Sequence, residues 1–311
     1  MRDGIWALGT YMPGGHIPYS LLYLVRDADG GVHVIDPGWD SERNWQGLLD
    51  ALAAINAGLS SVRSITATHL HPDHIGMAQR LHVESAAPVQ IHAQEKLDLE
   101  TAGAGGWTPS ALIAELDGWH VPVERRDELE QMLTGAPTRP TVDVDRVVQD
   151  NERLDIPGFD LVAMLTPGHT SGSISLRDDA NELLYTGDVI LPTMHAGLGL
   201  GGPTPSNPLH DYLASLALLS AYSQHEVLPG HGYRFAGVVD RARQSAEHHL
   251  RRSREVAAVL GAAPDASIWE VASQLTWTAG WENLAGFYLY SALSQTAMHK
   301  EFVEIDGLTA S

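Results

Sequence analysis

The sequence predicts an α/β fold carrying a helical insertion and a small, mainly helical C-terminal subdomain, and three observations predict it. Short apolar runs bounded by turn residues alternate with helically spaced stretches up to about residue 95, and strand patterns return from Val144 to Ile190. Residues 96–140 break that alternation. Beyond Pro264 the spacing is again helical. The 311 residues, 44% hydrophobic and 19% charged, suffice for a core domain over residues 1–236 and the appended subdomain, helical or winged-helix-like, over residues 237–311.

In chain order, the runs Tyr19–Arg26 and Val32–Ile35 flank Asp29, Gly30 and Gly31, the composition of a hairpin turn. Pro37 and Gly38 stop the second run, and Trp45, Leu48, Leu49, Leu52 and Ile55 then recur at helical spacing up to Gly58. Ile65–Thr68 reads as a buried strand, residues 75–84 as a helix, and Pro88–His92 as another strand. The insertion runs through Gly103, Gly105, Gly106, Trp107, Leu112, Ile113, Leu116 and Trp119 to Pro137 and Pro140. A segment of this length reads either as a lid over a site or as a packed helical hairpin. Leu161–Leu165, Ser173–Leu176 and Glu182–Tyr185 are the clearest later strands. Leu209–Tyr222 is an amphipathic helix, Glu226–Leu228 a short strand and Val238–Leu260 a long polar helix, on which His248 and His249 are expected to be solvated among the arginines. Phe302–Gly307 has the pattern of a closing hairpin wing.

Acidic side chains outnumber basic ones 39 to 19, a formal charge of −20, which disfavours nucleic acid as a partner. With no cysteine, disulfides, thiolate ligands and a cysteine nucleophile are excluded, so any metal has to be held by imidazole and carboxylate. Arg2 and Asp3 open the chain without the apolar run of a signal peptide, and no stretch approaches the roughly 18 apolar residues of a membrane span. The expectation is a cytoplasmic protein acting on a small-molecule substrate, without a membrane partner and with homo-oligomerisation open.

The sixteen histidines then matter most. His69, His71, Asp73 and His74 lie within six consecutive positions. At a strand end, alternation sends His69 and His71 to one side, and Pro72 bends the chain so that Asp73 and His74 can face a second ion. Four side chains do not fill two ions, and loops after strand-like runs offer His169 in Pro167-Gly168-His169-Thr170, Asp188 in Thr186-Gly187-Asp188, and His231 in Pro229-Gly230-His231-Gly232.

His-x-His-x-Asp-His followed by Gly-His, Gly-Asp and Pro-Gly-His-Gly resembles the signature of the metallo-β-lactamase superfamily over about residues 5–235, closest to the glyoxalase II-like and β-lactamase-like-protein branch. The resemblance implies a four-layer αββα sandwich and two divalent metal ions, zinc by default with manganese or iron as alternatives. It implies that His69, His71 and His169 hold the first metal, Asp73, His74 and His231 the second, and that Asp188 bridges them. A hydroxide shared by two such ions would attack a carbonyl, with Asp73 relaying a proton to the leaving group. Asp36 aligns with an acidic position the family keeps near its site and, with Thr170, is expected to support the ligands. Trp107, Trp119 and His195 are candidate substrate contacts.

The fold hosts several reactions, so the substrate has to be argued from residues. An apolar insertion and an acidic chain favour a carboxylic ester, thioester or lactone. The alternatives are a phosphodiesterase or endoribonuclease of the same fold, and a non-catalytic metal-binding protein. The tail resembles the winged-helix-like C-terminal region of that branch through Tyr290, His299 and Phe302–Gly307, but it carries six basic against nine acidic residues from 240 to 311, a poor nucleic-acid track.

Overall fold

The computed structural model describes residues 2–13, 17–101, 109–135, 140–202, 204 and 206–306. Two sheets face each other. One holds β1 (Ile5–Tyr11), β2 (Tyr19–Arg26), β3 (Val32–Ile35), β4 (Val62–Thr66), β5 (Val89–His92) and β6 (Arg146–Val148) in that spatial order. The other holds β7 (Leu161–Leu165), β8 (Ile174–Asp178), β9 (Leu183–Gly187) and β10 (Glu226–Pro229) in the order β10-β9-β8-β7.

Side-chain alternation builds the layers. On β2, Tyr23 and Val25 enter the core between the sheets with Ile174, Leu176, Leu183 and Tyr185 of β8 and β9. Leu22 and Leu24, one residue out of phase, face the outside of the sheet. There they meet Trp45, Leu48 and Leu52 of α1 (Glu42–Ala54) and Leu81 of α3 (Ala78–Ser85). Ser41 caps α1 by accepting from the Asn44 N–H. Leu48 and Leu52 are completely buried, each contributing about 1.5–3 kcal/mol. Across the molecule, Leu184 and Val227 turn outward against Leu209, Tyr212 and Leu216 of α7 (Pro208–Ser220) and Val238 and Ala242 of α8 (Val238–Ala262). The result is the αββα sandwich.

Strand direction decides where the loops gather. β3 through β6 run parallel, so their carboxyl ends share one edge. In the second sheet β8 is antiparallel to both β7 and β9, and β10 is parallel to β9, so β7, β9 and β10 also point one way. The segments after β3, β4, β5, β7, β9 and β10 supply Asp36, the 69–74 turn, Glu95, His169, Asp188 and His231.

Two expectations change, and the described helices of the insertion take the packed one of its two readings. Phe302–Asp306 belongs to α10 (Gly286–Asp306) instead of a hairpin wing, with Phe302 and Val303 buried against two different clusters; Gly307 lies outside the described residues. Six residues are too few to separate strand from helix by periodicity. The insertion is a packed unit: Leu112 and Leu116 of α5 (Pro109–Gly118) and Leu129 of α6 (Arg126–Gly135) share a core with Ile268 and Ala272 of α9 (Ile268–Gln274) and Leu289 and Leu293 of α10. Gly103, Gly105, Gly106, Trp107 and Pro137 fall outside the described residues. His249 is buried, 7% exposed, because α8 is covered by both α7 and α10. Among the described residues no helix is long and apolar enough to cross a membrane.

Candidate metal centre

β4 stops at Thr66, the chain bends at Thr68, His69 and Leu70, and Pro72 starts the short helix α2 (Pro72–Ile75). His71 is the residue before that helix, so His69 and His71 precede the bend while Asp73 and His74 lie in its first turn. His69 Nε2 and His169 Nε2 each lie 3.0 Å from His71 Nδ1.

Each ring's other nitrogen already has a partner. His71 Nε2 is 3.0 Å from the Leu200 carbonyl and His169 Nδ1 is 2.7 Å from the Gly197 carbonyl. A carbonyl only accepts, so both nitrogens carry the hydrogen. His69 Nδ1 faces the Thr68 hydroxyl, whose own hydrogen is given to Asp36 Oδ2. The three nitrogens that converge are therefore bare lone pairs.

The second half is built the same way. His74 Nδ1 donates to Asp36 Oδ2 at 2.9 Å and His231 Nδ1 to the Tyr19 carbonyl at 2.9 Å. Their Nε2 atoms face carboxylates: His231 Nε2 is 3.2 Å from Asp73 Oδ2 and from Asp188 Oδ2, and His74 Nε2 is 3.4 Å from Asp188 Oδ1. Asp188 Oδ2 also lies 3.7 Å from His169 Nε2, placing that carboxylate between the two sets. His74 Nε2 and Asp188 Oδ1 are buried without a hydrogen-bond partner. Three bare lone pairs turned on one another, beside two carboxylates that call for positive charge, leave room for cations, so the residues fit divalent metal binding. Three groups, His69/His71/His169, His69/His74/Asp188 and Asp73/His74/His231, each bring their donor atoms within 4.8 Å.

Electrostatics divides the cluster. Burial, with neighbouring rings adding to it, holds His69 well below its ordinary value and takes His71 down to about 4. Burial also opposes charge on His231, but Asp188 and Asp73 outweigh it and raise His231 to about 10. Against its own burial, Asp73 is pulled down to about 2 by His74 and His231. The acidic half demands positive charge and the imidazole half refuses protons.

Supporting contacts follow. Asp36 has φ +51°, a left-handed backbone that aspartate tolerates better than most residues. Its carboxylate accepts the Thr68 N–H, the Thr68 hydroxyl and His74 Nδ1–H. Thr170 Oγ1 lies 2.5 Å from Ser173 Oγ within the loop that carries His169. A Cβ at Gly230 would collide with Asp188 Oδ1 and lie 2.6 Å from His74 Cε1, so a side chain there would occupy the space the ligands surround.

Sequence reasoning missed Glu95. It lies near the start of α4 (Ala93–Thr101), is fully buried, and accepts the Leu70 N–H on Oε2 and the Gly172 N–H on Oε1, both at 2.7 Å. Burial raises its carboxyl to about 7. One side chain thus ties the loop of His69 and His71 to the loop of His169, and a glutamate near a helix start gives no signal of such a role. Trp119 does not line the cluster: its ring packs 5.4 Å from Tyr290 in the helical core. It is corrected to a packing residue, because the insertion folds onto the C-terminal helices. His195 stacks on His248 with centroids 3.9 Å apart.

A four-layer sandwich with imidazole and carboxylate donors converging at one edge defines a metal-binding protein of the β-lactamase type. The chain belongs to the metallo-beta-lactamase superfamily, whose sequence profile matches residues 18–231. It is similar to a protein of Bacillus subtilis named probable metallo-hydrolase YqjP, 23% identical over 94% of this chain and 89% of that one. It is 30% identical to the beta-lactamase-like protein 2 homolog of Caenorhabditis elegans over 43% of each chain, so the match spans less than half of that relative. The acyl-coenzyme A thioesterase MBLAC2 of Gallus gallus is 28% identical over 53% of this chain and 54% of its own. Among solved structures, a metallo-beta-lactamase family protein from Thermus thermophilus superposes with a TM-score of 0.77 at 24% identity, covering 98% of this chain and 95% of that one.

Proposed function

We propose that the chain is a dinuclear metal-dependent hydrolase of a carboxylic ester, thioester or lactone. His69, His71 and His169 hold one divalent cation, Asp73, His74 and His231 the other, and Asp188 is shared. One observation carries this reading: five imidazole nitrogens and two carboxylates converge while the outer nitrogen of every ring is tied to an acceptor. Zinc suits such donors, with manganese or iron as alternatives.

Two such cations, when bound, acidify water and polarise an acyl carbonyl. The chain's own residues do the rest. Asp36 and Thr68 orient the His74 and His69 rings, and the Gly197 and Leu200 carbonyls orient His169 and His71, so the donors are preorganised. Asp73 presents a carboxylate that takes a proton and returns it to the leaving heteroatom.

An acyl substrate is preferred over a phosphodiester for two reasons: the chain's −20 charge, and the thioesterase named among the relatives. The apolar-lid argument falls away with the packing of the insertion. A parallel turnover screen of acyl thioesters, lactones and bis-aryl phosphates, with metal analysis of the same sample, tests the proposal. Turnover of an acyl substrate with two metals per chain is expected. Preference for the phosphate, or no turnover of fully metallated protein, would overturn it.

A further inference from the structure

The segment after Asp188 touches the cluster on one side and a cationic hollow on the other. Its Gly197 and Leu200 carbonyls bond to His169 and His71. The hollow, about 390 Å³, is lined by His195, Arg241, Arg243, Gln244, Glu247 and Arg251. His195 is two residues from Gly197, a span of at most about 7 Å, and the Gly197 carbonyl is 2.7 Å from His169 Nδ1. The segment that lines the hollow through His195 is therefore the one that tethers His169.

Its charge is only partly compensated from within. Glu247 is engaged by two nitrogens of Arg254. Arg241 spends its Nε and Nη2 on the carbonyls of Leu191 and Met194 and has no ion pair among the described residues. Arg243 reaches Asp240 through one nitrogen at 3.1 Å, and Arg251 has no ion pair among the described residues. His195 adds a ring nitrogen, Nδ1, that is buried without a hydrogen-bond partner. In a chain of net charge −20 this concentration of arginine runs against the prevailing field. Arg241 also pins the 191–194 backbone, so one wall of the hollow is held in place.

We propose that this hollow holds the anionic tail, a phosphoryl or carboxylate group, of the substrate whose acyl carbon is cleaved at the histidine and aspartate cluster. The proposal rests on the ester or thioester reading above and adds that the substrate is a charged conjugate and not a neutral ester. Arg243 and Arg251 supply the attraction, and Arg241 and His195 join the hollow to the 191–197 segment that tethers His169.

The test pairs two thioesters of one acyl group, one on a phosphorylated carrier and one on a short neutral thiol, with calorimetric titration of the metallated protein by pyrophosphate. The wild type should favour the phosphorylated substrate in kcat/KM by about tenfold, within the scale of two exposed ion pairs, and the advantage should shrink as salt is raised. In R243E/R251E, and more weakly in R243Q/R251Q, the ratio should fall toward one and pyrophosphate affinity should drop. A wild-type ratio of one would overturn the proposal. So would pyrophosphate binding that survives intact in R243E/R251E, which would place the anion at the metals. Cleavage of single-stranded RNA abolished by the same variant would overturn it in favour of a polyanion track. If neither thioester is turned over but pyrophosphate binding is lost in R243E/R251E, the anion site stands and the ester reading fails.

Discussion

Glutamine at position 95 is the sharpest probe of how the metal loops are held. Glu95 uses different oxygens for its two backbone partners, Oε2 for Leu70 and Oε1 for Gly172, and the whole side chain is buried. The variant E95Q keeps the volume but has one acceptor oxygen. One of the two N–H groups must then face an amide NH2 with no water to replace the lost bond. A buried donor left without its acceptor costs about 1–3 kcal/mol. Leu70 lies between His69 and His71, and Gly172 closes the loop of His169, so relief comes from moving these loops apart. If the whole cost falls on the metal-bound form, affinity for a cation at the proposed His69/His71/His169 site drops by roughly 5- to 150-fold. Competition titration against a chromophoric chelator reads that affinity directly, and thermal melting of the metal-free protein reads stability. Unchanged metal affinity beside a lowered melting temperature would refute the argument, leaving Glu95 as an ordinary buried support.

Other expectations follow from the same geometry. The D73N variant, compared at equal metal content, should lose about 10²–10⁴-fold in kcat if its carboxylate carries the proton; an unaltered rate sinks that role. Stripping the metals with a chelator should lower the melting temperature and cost about 4 kcal/mol relative to protein held at a thousand times the metal Kd, and a superposable melt would show that no cation stabilises the fold. Burial, with neighbouring histidines adding, lowers His249 and His299 to about 3 each. Because the unfolded rings titrate near 6.5, the unfolded chain binds protons that the folded one refuses. Stability is then full above about pH 6.5 and falls as pH drops toward 3, by about 2 kcal/mol per histidine between pH 7 and 5. Urea unfolding at both pH values should show a shallower loss in H299N than in the wild type; an identical slope would contradict the buried-neutral assignment.

Much of this protein was legible locally. His69, His71, Asp73 and His74 share one turn, so their convergence needs only the bend at Pro72, and the strand alternation that places Tyr23 and Leu24 on opposite faces is a property of consecutive residues. The packing of Trp119 on Tyr290, the burial of His249 and the helical course of Phe302–Asp306 had no such signature, because each depends on which distant surface covers the segment. The same holds for the tethers of the centre. Glu95, the Gly197 and Leu200 carbonyls and the Tyr19 carbonyl reach their partners across 25 to 212 positions of chain. Periodicity and motif report how a segment relates to itself, so they could single out candidate ligands. Only the packing of two parallel-edged sheets against each other could decide which backbone groups hold those ligands in place.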